Sequence, residues 1–232
     1  MDGMTTTASL KDWTGCKAPG DAVLAGRYAR LEPLDWVVHR DGLYAAVAGA
    51  DNHGLWDYMP VGPFEDGAEA FEATFEAIRE YGSWRTMVIR DAATADILGM
   101  ASYMRIREAF GSAEVGCVAF GEKLKRTRIA SEAICLMAGH VFDGLGYRRF
   151  EWKCDDQNAA SMRAAIRFGF TYEGTFRQDM VVKGRNRDSA WYSMLDIEWP
   201  ALKAAFRAWL APENFTADGM QKATLESYRP AL

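Results

Sequence analysis

The stretch Glu114–Leu145, EVGCVAFGEKLKRTRIASEAICLMAGHVFDGL, decides how this chain folds. It has three parts. Val115 to Phe120 is an apolar run of strand length. Glu122 to Ala130 is a connector carrying Lys123, Lys125, Arg126 and Arg128 against one acid. Ile134, Met137, Ala138, Val141, Phe142 and Leu145 then recur at helical spacing. A strand that feeds a basic turn into a helix is a physical recipe for holding phosphate. The first helical turn has unpaired N–H groups, and the helix dipole adds partial positive charge there. A solvated Lys/Arg turn would carry the same charges. GxxxxGK[ST] and GxGxxG are both absent from the connector, so it is neither a Walker loop nor a dinucleotide fingerprint.

Upstream, residues 1–26 mix Thr, Gly, Lys and Asp without period and read as an N-terminal arm. RYARLEPL, Arg27 to Leu34, alternates like a strand, and Asp35 is placed to cap a helix reaching Val47. DNHGLWDYMPVGPF, residues 51–64, reads as an aromatic loop, and Asp66 to Tyr81 as a helix closed by Gly82. Trp84 to Arg90 and Ile97 to Arg105 form a hairpin around DAATAD, followed by a strand over Ser112 to Phe120.

Downstream, Phe150 to Cys154 is a short strand. Asn158 caps a helix to Phe168, with Met162, Ala165 and Ile166 facing inward. Tyr172 to Val182 and Asp188 to Ile197 read as strands around Lys183-Gly184-Arg185-Asn186. Pro200 opens a last helix, and residues 211–232 read as a tail. Consecutive hairpins with one strand–helix–strand unit over 114–154 predict an α/β domain. Its central sheet is mixed, mostly antiparallel and of about seven strands, with helices on both faces. The domain spans residues 27–199, with 200–232 as C-terminal helix and tail.

The chain has 232 residues and a net charge of −5, which fits one soluble domain and argues against a general nucleic-acid binder. Cys16, Cys117, Cys135 and Cys154 show no CxxC spacing and read as buried reduced thiols of a cytoplasmic protein. His39, His53 and His140 lie far apart, so no metal is expected. No apolar run approaches ~20 residues, so neither a membrane span nor a membrane partner is expected. The N-terminus lacks the apolar core of a signal peptide.

KRTRIASEA, Lys125 to Ala133, resembles the acyl-CoA pyrophosphate loop of the GNAT N-acetyltransferase superfamily, Q/R-x-x-G-x-G/A running into a helix. Lys125 stands first, Ala130 last, and Arg128 where glycine is usual. KCDDQNAASMRAAIRFGFTYEG, Lys153 to Gly174, resembles the second cofactor segment: a strand, N-x-x-S opening a helix, then a GF-x-x-EG turn. RLEPL and GLWDYMPVGPF are similar to the bacterial branch that contains ribosomal-protein N-terminal acetyltransferases. The resemblance covers about Arg27 to Ile197.

That resemblance implies acetyl transfer from acetyl-CoA, as cosubstrate, to a primary amine: a protein N-terminus, or a small amine or amino acid. It implies that the backbone of Val118, Ala119 and Phe120 pairs with the pantetheine amides. The loop Lys125, Arg126, Thr127, Arg128, Ile129 and Ala130 would cradle the pyrophosphate through its N–H groups. Asn158 would reach the pantetheine and could equally be only a helix cap. Ser161 matches the N-x-x-S serine that would assist thiolate departure; a solvent-facing serine is its plain alternative. Arg163 and Arg167 share a helix face and would touch the 3′-phosphate, unless that face is simply solvated.

Amines are mostly protonated at neutral pH, so some group must take a proton. Glu114 is the first candidate base and Asp179 the second. Both could instead be surface carboxylates, and strict counting puts Met180 where this branch has a glutamate. Trp56, Tyr58 and Met59 lie on the loop bordering the acceptor in this branch, and could equally be core anchors. The acids from Asp51 to Glu80 outnumber the single base Arg79 by eight to one and would attract a cationic acceptor or merely solvate a helix. No nucleic-acid partner is expected, and a homodimer is left open. The competing reading is a GNAT-fold module that binds acyl-CoA without catalysis.

Overall fold

The computed structural model describes residues 9–229. Eight strands form one sheet in the order β1-β2-β3-β4-β5-β6-β8-β7. They are β1 (Leu24–Ala25), β2 (Ala29–Pro33), β3 (Arg85–Asp91), β4 (Ile97–Arg107), β5 (Ser112–Phe120), β6 (Arg149–Asp155), β7 (Thr171–Val182) and β8 (Arg185–Leu195). Every neighbouring pair is antiparallel except β5 and β6, which run parallel around a crossover helix. The mixed, mostly antiparallel sheet is thus the one expected. The extra strand is β1, whose two residues are too short to leave a pattern.

Helices α1 (Trp36–Val47) and α2 (Ala68–Tyr81) cover one face, and α3 (Arg128–Gly139), α4 (Ala159–Phe168) and α5 (Trp199–Trp209) the other. Alternation along the strands feeds two cores. Val88, Met100 and Ala119 meet Leu43, Val47, Phe71 and Phe75 on one side. Met87, Ile89, Tyr103, Val115, Phe150 and Trp152 meet the α3 and α5 side chains on the other. No helix among the described residues is long and apolar enough to cross a membrane.

Four local expectations change. From residue 9 the arm is docked: Trp13 Nε1 donates to the Ala109 carbonyl at 2.7 Å, and the Tyr147 hydroxyl to that of Lys17 at 3.1 Å. Residues 1–8 lie outside the described region. The tail is packed up to Arg229, because buried Asn214 donates to the carbonyls of Trp209 and Ala223 and accepts from the Ala223 N–H. Residues 230–232 fall outside the described region. The β7–β8 turn is tighter than read: Lys183 (φ 50°) and Gly184 (φ 73°) are both left-handed, the two-residue turn that matches strand twist, so β8 starts at Arg185. Ile166 is 53% exposed, because the inner stripe of α4 runs through Ala165 and Phe168.

Glu132 ties α3 to the sheet edge. Its buried carboxyl oxygens accept from the N–H groups of Arg27 (2.9 Å), Tyr28 (2.6 Å) and Ala29 (2.6 Å). Glu132→Ala would take the acceptor from the buried Ala29 N–H and the half-buried Tyr28 N–H. It is expected to cost about 3 kcal/mol, or roughly 6–12 °C in thermal melting. An unchanged melting temperature would show that the turn between β1 and β2 satisfies itself.

Candidate active site

The site begins where β5 and β6 part. Their parallel pairing runs from Ser112 opposite Arg149 to Val115 opposite Trp152, and stops there. Both strands continue, β5 to Phe120 and β6 to Asp155. The cause is a bulge in β5. Gly116 pairs with Ser102 and Ala119 with Met100, so Cys117 and Val118 together face Ala101. Cys117 takes φ 46°, and such a bulge bends its strand. The β6-facing edge beyond Val115 is therefore open, and such an edge can pair with an extended chain bearing amides.

The connector then turns into α3. At Gly121 a Cβ would lie 2.5 Å from the Ala46 carbonyl oxygen and 2.7 Å from that of Leu98, so no side chain fits. Arg126 adopts φ 62°, a conformation non-glycine residues hold at a cost of about 1 kcal/mol. Thr127 caps α3, its Oγ1 accepting from the Ala130 N–H at 3.2 Å. The N–H groups of Arg126, Arg128 and Ile129 have no partner among the described residues. They form an anion-binding turn at a helix start. The side chains mostly turn elsewhere. Arg128 lies over the Tyr28 ring at 4.2 Å and that of Phe215 at 5.3 Å, while Lys125 pairs with Glu122 at 2.8 Å.

Across the gap, Asn158 caps α4 by accepting from the Ser161 N–H at 3.0 Å. Ser161 Oγ accepts from Trp152 Nε1 at 2.9 Å, so the hydroxyl proton is directed away from that indole. Trp152 points into the α3 and α5 core, so Ser161 stands on that side of the sheet. Its neighbour Glu151 points to the opposite face, as does Glu114, its register partner on β5.

That opposite face carries a buried charge cluster. Glu114 is 3% exposed, and Arg105 Nε approaches its Oε2 at 2.8 Å without pointing at it. Glu151 receives Arg105 at 2.9 Å, Arg107 at 2.6 Å and Arg149 at 2.7 Å. Burial pushes the Glu114 carboxyl up to about 7; Arg105 and Lys153 oppose that rise and Glu151 adds to it. Burial likewise lowers Lys153 from the ordinary lysine value. Lys153 Nζ lies 3.9 Å from Asp179 and 4.0 Å from the Met180 sulfur. The two candidate bases thus flank one lysine. The β7–β8 turn and the 51–64 loop close the far side, with Lys183 Nζ donating to the Trp56 carbonyl at 2.7 Å.

A family model described as an acetyltransferase (GNAT) domain matches residues 30–171. The chain belongs to the GNAT acetyltransferase family. It is similar to a GCN5-related N-acetyltransferase from Brucella melitensis, at 44% identity and TM-score 0.90, over 95% of this chain and 99% of that one. A chain from Chromobacterium violaceum, described as a probable acetyltransferase of the same family, is 40% identical with TM-score 0.78, over 84% and 97%. A Bacillus licheniformis protein named an uncharacterized N-acetyltransferase, p20, is 27% identical over 145 residues, 61% of this chain and 80% of its own.

The chain is a GNAT acyltransferase, a family that uses acetyl-CoA as cosubstrate. Val118 to Phe120, Lys125 to Ala130, Asn158 and Ser161 border the gap or the turn that continues from it, and Arg163 is exposed on α4. Arg167 does not join them: it donates to Ser131 Oγ at 2.9 Å and lies over the Trp209 ring at 4.9 Å, so it is a core strut. Trp56 is fully buried, its Nε1 donating to the Val47 carbonyl at 2.8 Å, so only its carbonyl faces the site. Tyr58 is exposed and Met59 half-buried. Cys117 and Cys135 are pushed up to about 12 by burial, and Cys154 is also raised, so these thiols are poor nucleophiles at neutral pH. Among the described residues no group of three His, Cys, Asp or Glu side chains is arranged to hold a metal.

Reading the sequence missed Arg105, Lys153, Arg187 and Trp191. Their signal was strand parity: Lys153 lies two residues after Glu151, and Arg187 and Trp191 lie four apart on β8. If the turn holds its anion through backbone donors, Arg128→Ala will lower the melting temperature by a few degrees, for a loss of about 1 kcal/mol. It will leave the stabilisation by CoA nearly unchanged. Loss of the CoA-induced shift would assign the guanidinium itself to the anion.

Proposed function

We propose that the chain transfers an acetyl group from acetyl-CoA to a primary amine by direct attack, without a covalent enzyme intermediate. The reading rests on the gap between β5 and β6, flanked on one face by Glu114 and on the other by Ser161. The open backbone of Val118, Ala119 and Phe120 binds the pantetheine amides, and Asn158 adds its side-chain NH2. The open amides of Arg126, Arg128 and Ile129 take the pyrophosphate, while Thr127 and Ala130 shape the turn through the helix cap; Lys125 stands at the mouth of that turn, and exposed Arg163 attends the 3′-phosphate. When bound, acetyl-CoA supplies an activated acyl carbon. Tyr58, Met59 and the Trp56 carbonyl border the amine.

Glu114 is the general base. Its carboxyl, pushed up to about 7, is partly ionised at neutral pH and basic enough to take a proton from an ammonium. Asp179 is the alternative base and acts through Lys153, which it approaches at 3.9 Å. Ser161 donates a hydrogen bond to the departing sulfur. One C–N bond forms and one C–S bond breaks. Two protons leave the ammonium nitrogen: one passes through Glu114 to solvent before attack, and the second, released as the tetrahedral intermediate collapses, ends on the thiolate.

Amine-dependent release of CoA thiol tests the reading. Protonated Glu114 cannot accept a proton, so kcat/KM is expected to rise about tenfold per pH unit below about 7 and to level off above it. Glu114→Gln is expected to lower kcat by about 10²- to 10⁴-fold and to flatten that rise. An unaltered pH profile would move the base to Asp179. Ser161→Ala is expected to lower kcat about tenfold with little change in acetyl-CoA affinity; an unchanged kcat would remove the serine from the chemistry. If no amine in a broad panel releases thiol while CoA still raises the melting temperature, the chain is a binding module instead.

A further inference from the structure

Arg187 stands apart from the other arginines of the charged face. Arg105, Arg107 and Arg149 each meet a carboxylate within 2.9 Å. Arg187 is only 6% exposed, yet no carboxylate of the described residues lies within ion-pair distance of it. Its Nε has no partner, and its one hydrogen bond is a long contact of 3.4 Å from NH1 to the Tyr58 carbonyl. A buried guanidinium without an anion is costly, and proteins normally pair it.

Two further donors share its surroundings. Ser189 Oγ and Trp191 Nε1 are buried and also lack partners. Arg187, Ser189 and Trp191 alternate along β8 and so project from one face of the sheet. In register, Ser189 lies opposite Asp155, and Trp191 opposite Lys153 on β6. Lys153 Nζ sits 5.2 Å from the Trp191 ring, and Arg105 covers that ring at 4.2 Å. This row of unsatisfied donors therefore ends beside the lysine that Glu114 and Asp179 flank. A cationic acceptor would meet repulsion from Arg187 and Lys153. An acceptor with an amine at Glu114 and an oxyanion a few bonds away would satisfy them.

We propose that the acceptor is a primary amine that also carries a carboxylate, an amino-acid-like zwitterion, and that Arg187 binds the carboxylate with help from Ser189 and Trp191. The proposal rests on the acetyltransferase reading above and specifies its acceptor. The Arg187 guanidinium presents paired N–H groups that match a carboxylate in a two-point contact. The 51–64 part of the acidic 51–80 segment touches this row through the Tyr58 carbonyl, but none of the segment's carboxylates lies within ion-pair distance of Arg187.

The test is CoA thiol release by the full chain with acetyl-CoA and three matched sets: free amino acids, their carboxamides and their decarboxylated amines. The free acids are expected to show kcat/KM roughly 10- to 100-fold above the matched amides and amines, mainly through KM. Arg187→Met is expected to bring that ratio near one, and Arg187→Lys to recover part of it. Amides or decarboxylated amines that match or exceed the acids would overturn the assignment while leaving acetyl transfer standing. An acid preference that survives in Arg187→Met, with the variant's melting and CoA-induced shift intact, would also overturn it. Failure of every member of the three sets to release thiol would overturn this assignment, and only silence across the broader amine panel as well would sink the acetyltransferase reading.

Discussion

The site depends on one constraint, the loss of pairing between two central strands. Backbone N–H and C=O groups in the middle of a sheet ordinarily find partners, and leaving them open in an apolar setting is costly. Here β5 and β6 pair only as far as Val115 and Trp152. Neither strand is free to close the gap. β4 holds β5 out to Phe120 opposite Gly99, and β8 holds β6 out to Asp155 opposite Ser189. The bulge at Cys117 bends β5 away while the outer neighbours keep both strands in place. The result is a slot with a strand edge on one wall, running into the N-terminus of α3.

The slot also makes the chemistry two-sided. Alternation puts Trp152, and with it Ser161, on one face and Glu151 on the other. Parallel register then sets Glu114 directly beside Glu151. Two neighbouring carboxyls taken out of water repel unless cations intervene. The arginines are shared unequally: three reach Glu151, and only Arg105 reaches Glu114, out of line for a hydrogen bond. Glu151 holds the guanidinium lattice together, and burial leaves the Glu114 carboxyl raised.

Much of this was legible in order along the chain. The apolar run, basic connector and helical stripe from Glu114 onward placed β5, the turn and α3, because each has a strong local period. Asp35 and Asn158 announce helix starts by chemistry alone. Local pattern could not show how far two parallel strands stay paired, since pairing length depends on a bulge whose residue, Cys117, is no usual turn former. It could not separate Arg167 from Arg163 either. They share a helix face, but the core strut is chosen by Ser131 and Trp209 on other helices. Trp56 misled for the same reason: an aromatic in a Gly/Pro-rich loop looks exposed until Phe64 packs on it at 4.7 Å. The charged cluster was invisible because its members come from four strands.

The departure from glycine at Arg128 follows from the packed C-terminal segment. A side chain at the first position of α3 must either enter the anion turn or leave it. Arg128 leaves it, and the surface it lies on is Tyr28 together with Phe215. Phe215 lies beyond the matched domain, which ends at residue 171. It is held by Trp209 at 5.1 Å and by the hydrogen bonds of Asn214 just before it. The segment after α5 thus gives Arg128 a second aromatic wall outside the turn. With Arg128 drawn away and Lys125 paired to Glu122, the turn faces an anion mainly with backbone amides, whose charge is fixed and whose positions are set by α3. A glycine would leave the same amides in place, so the turn can lose its glycine and keep its geometry, provided the C-terminal segment stays docked.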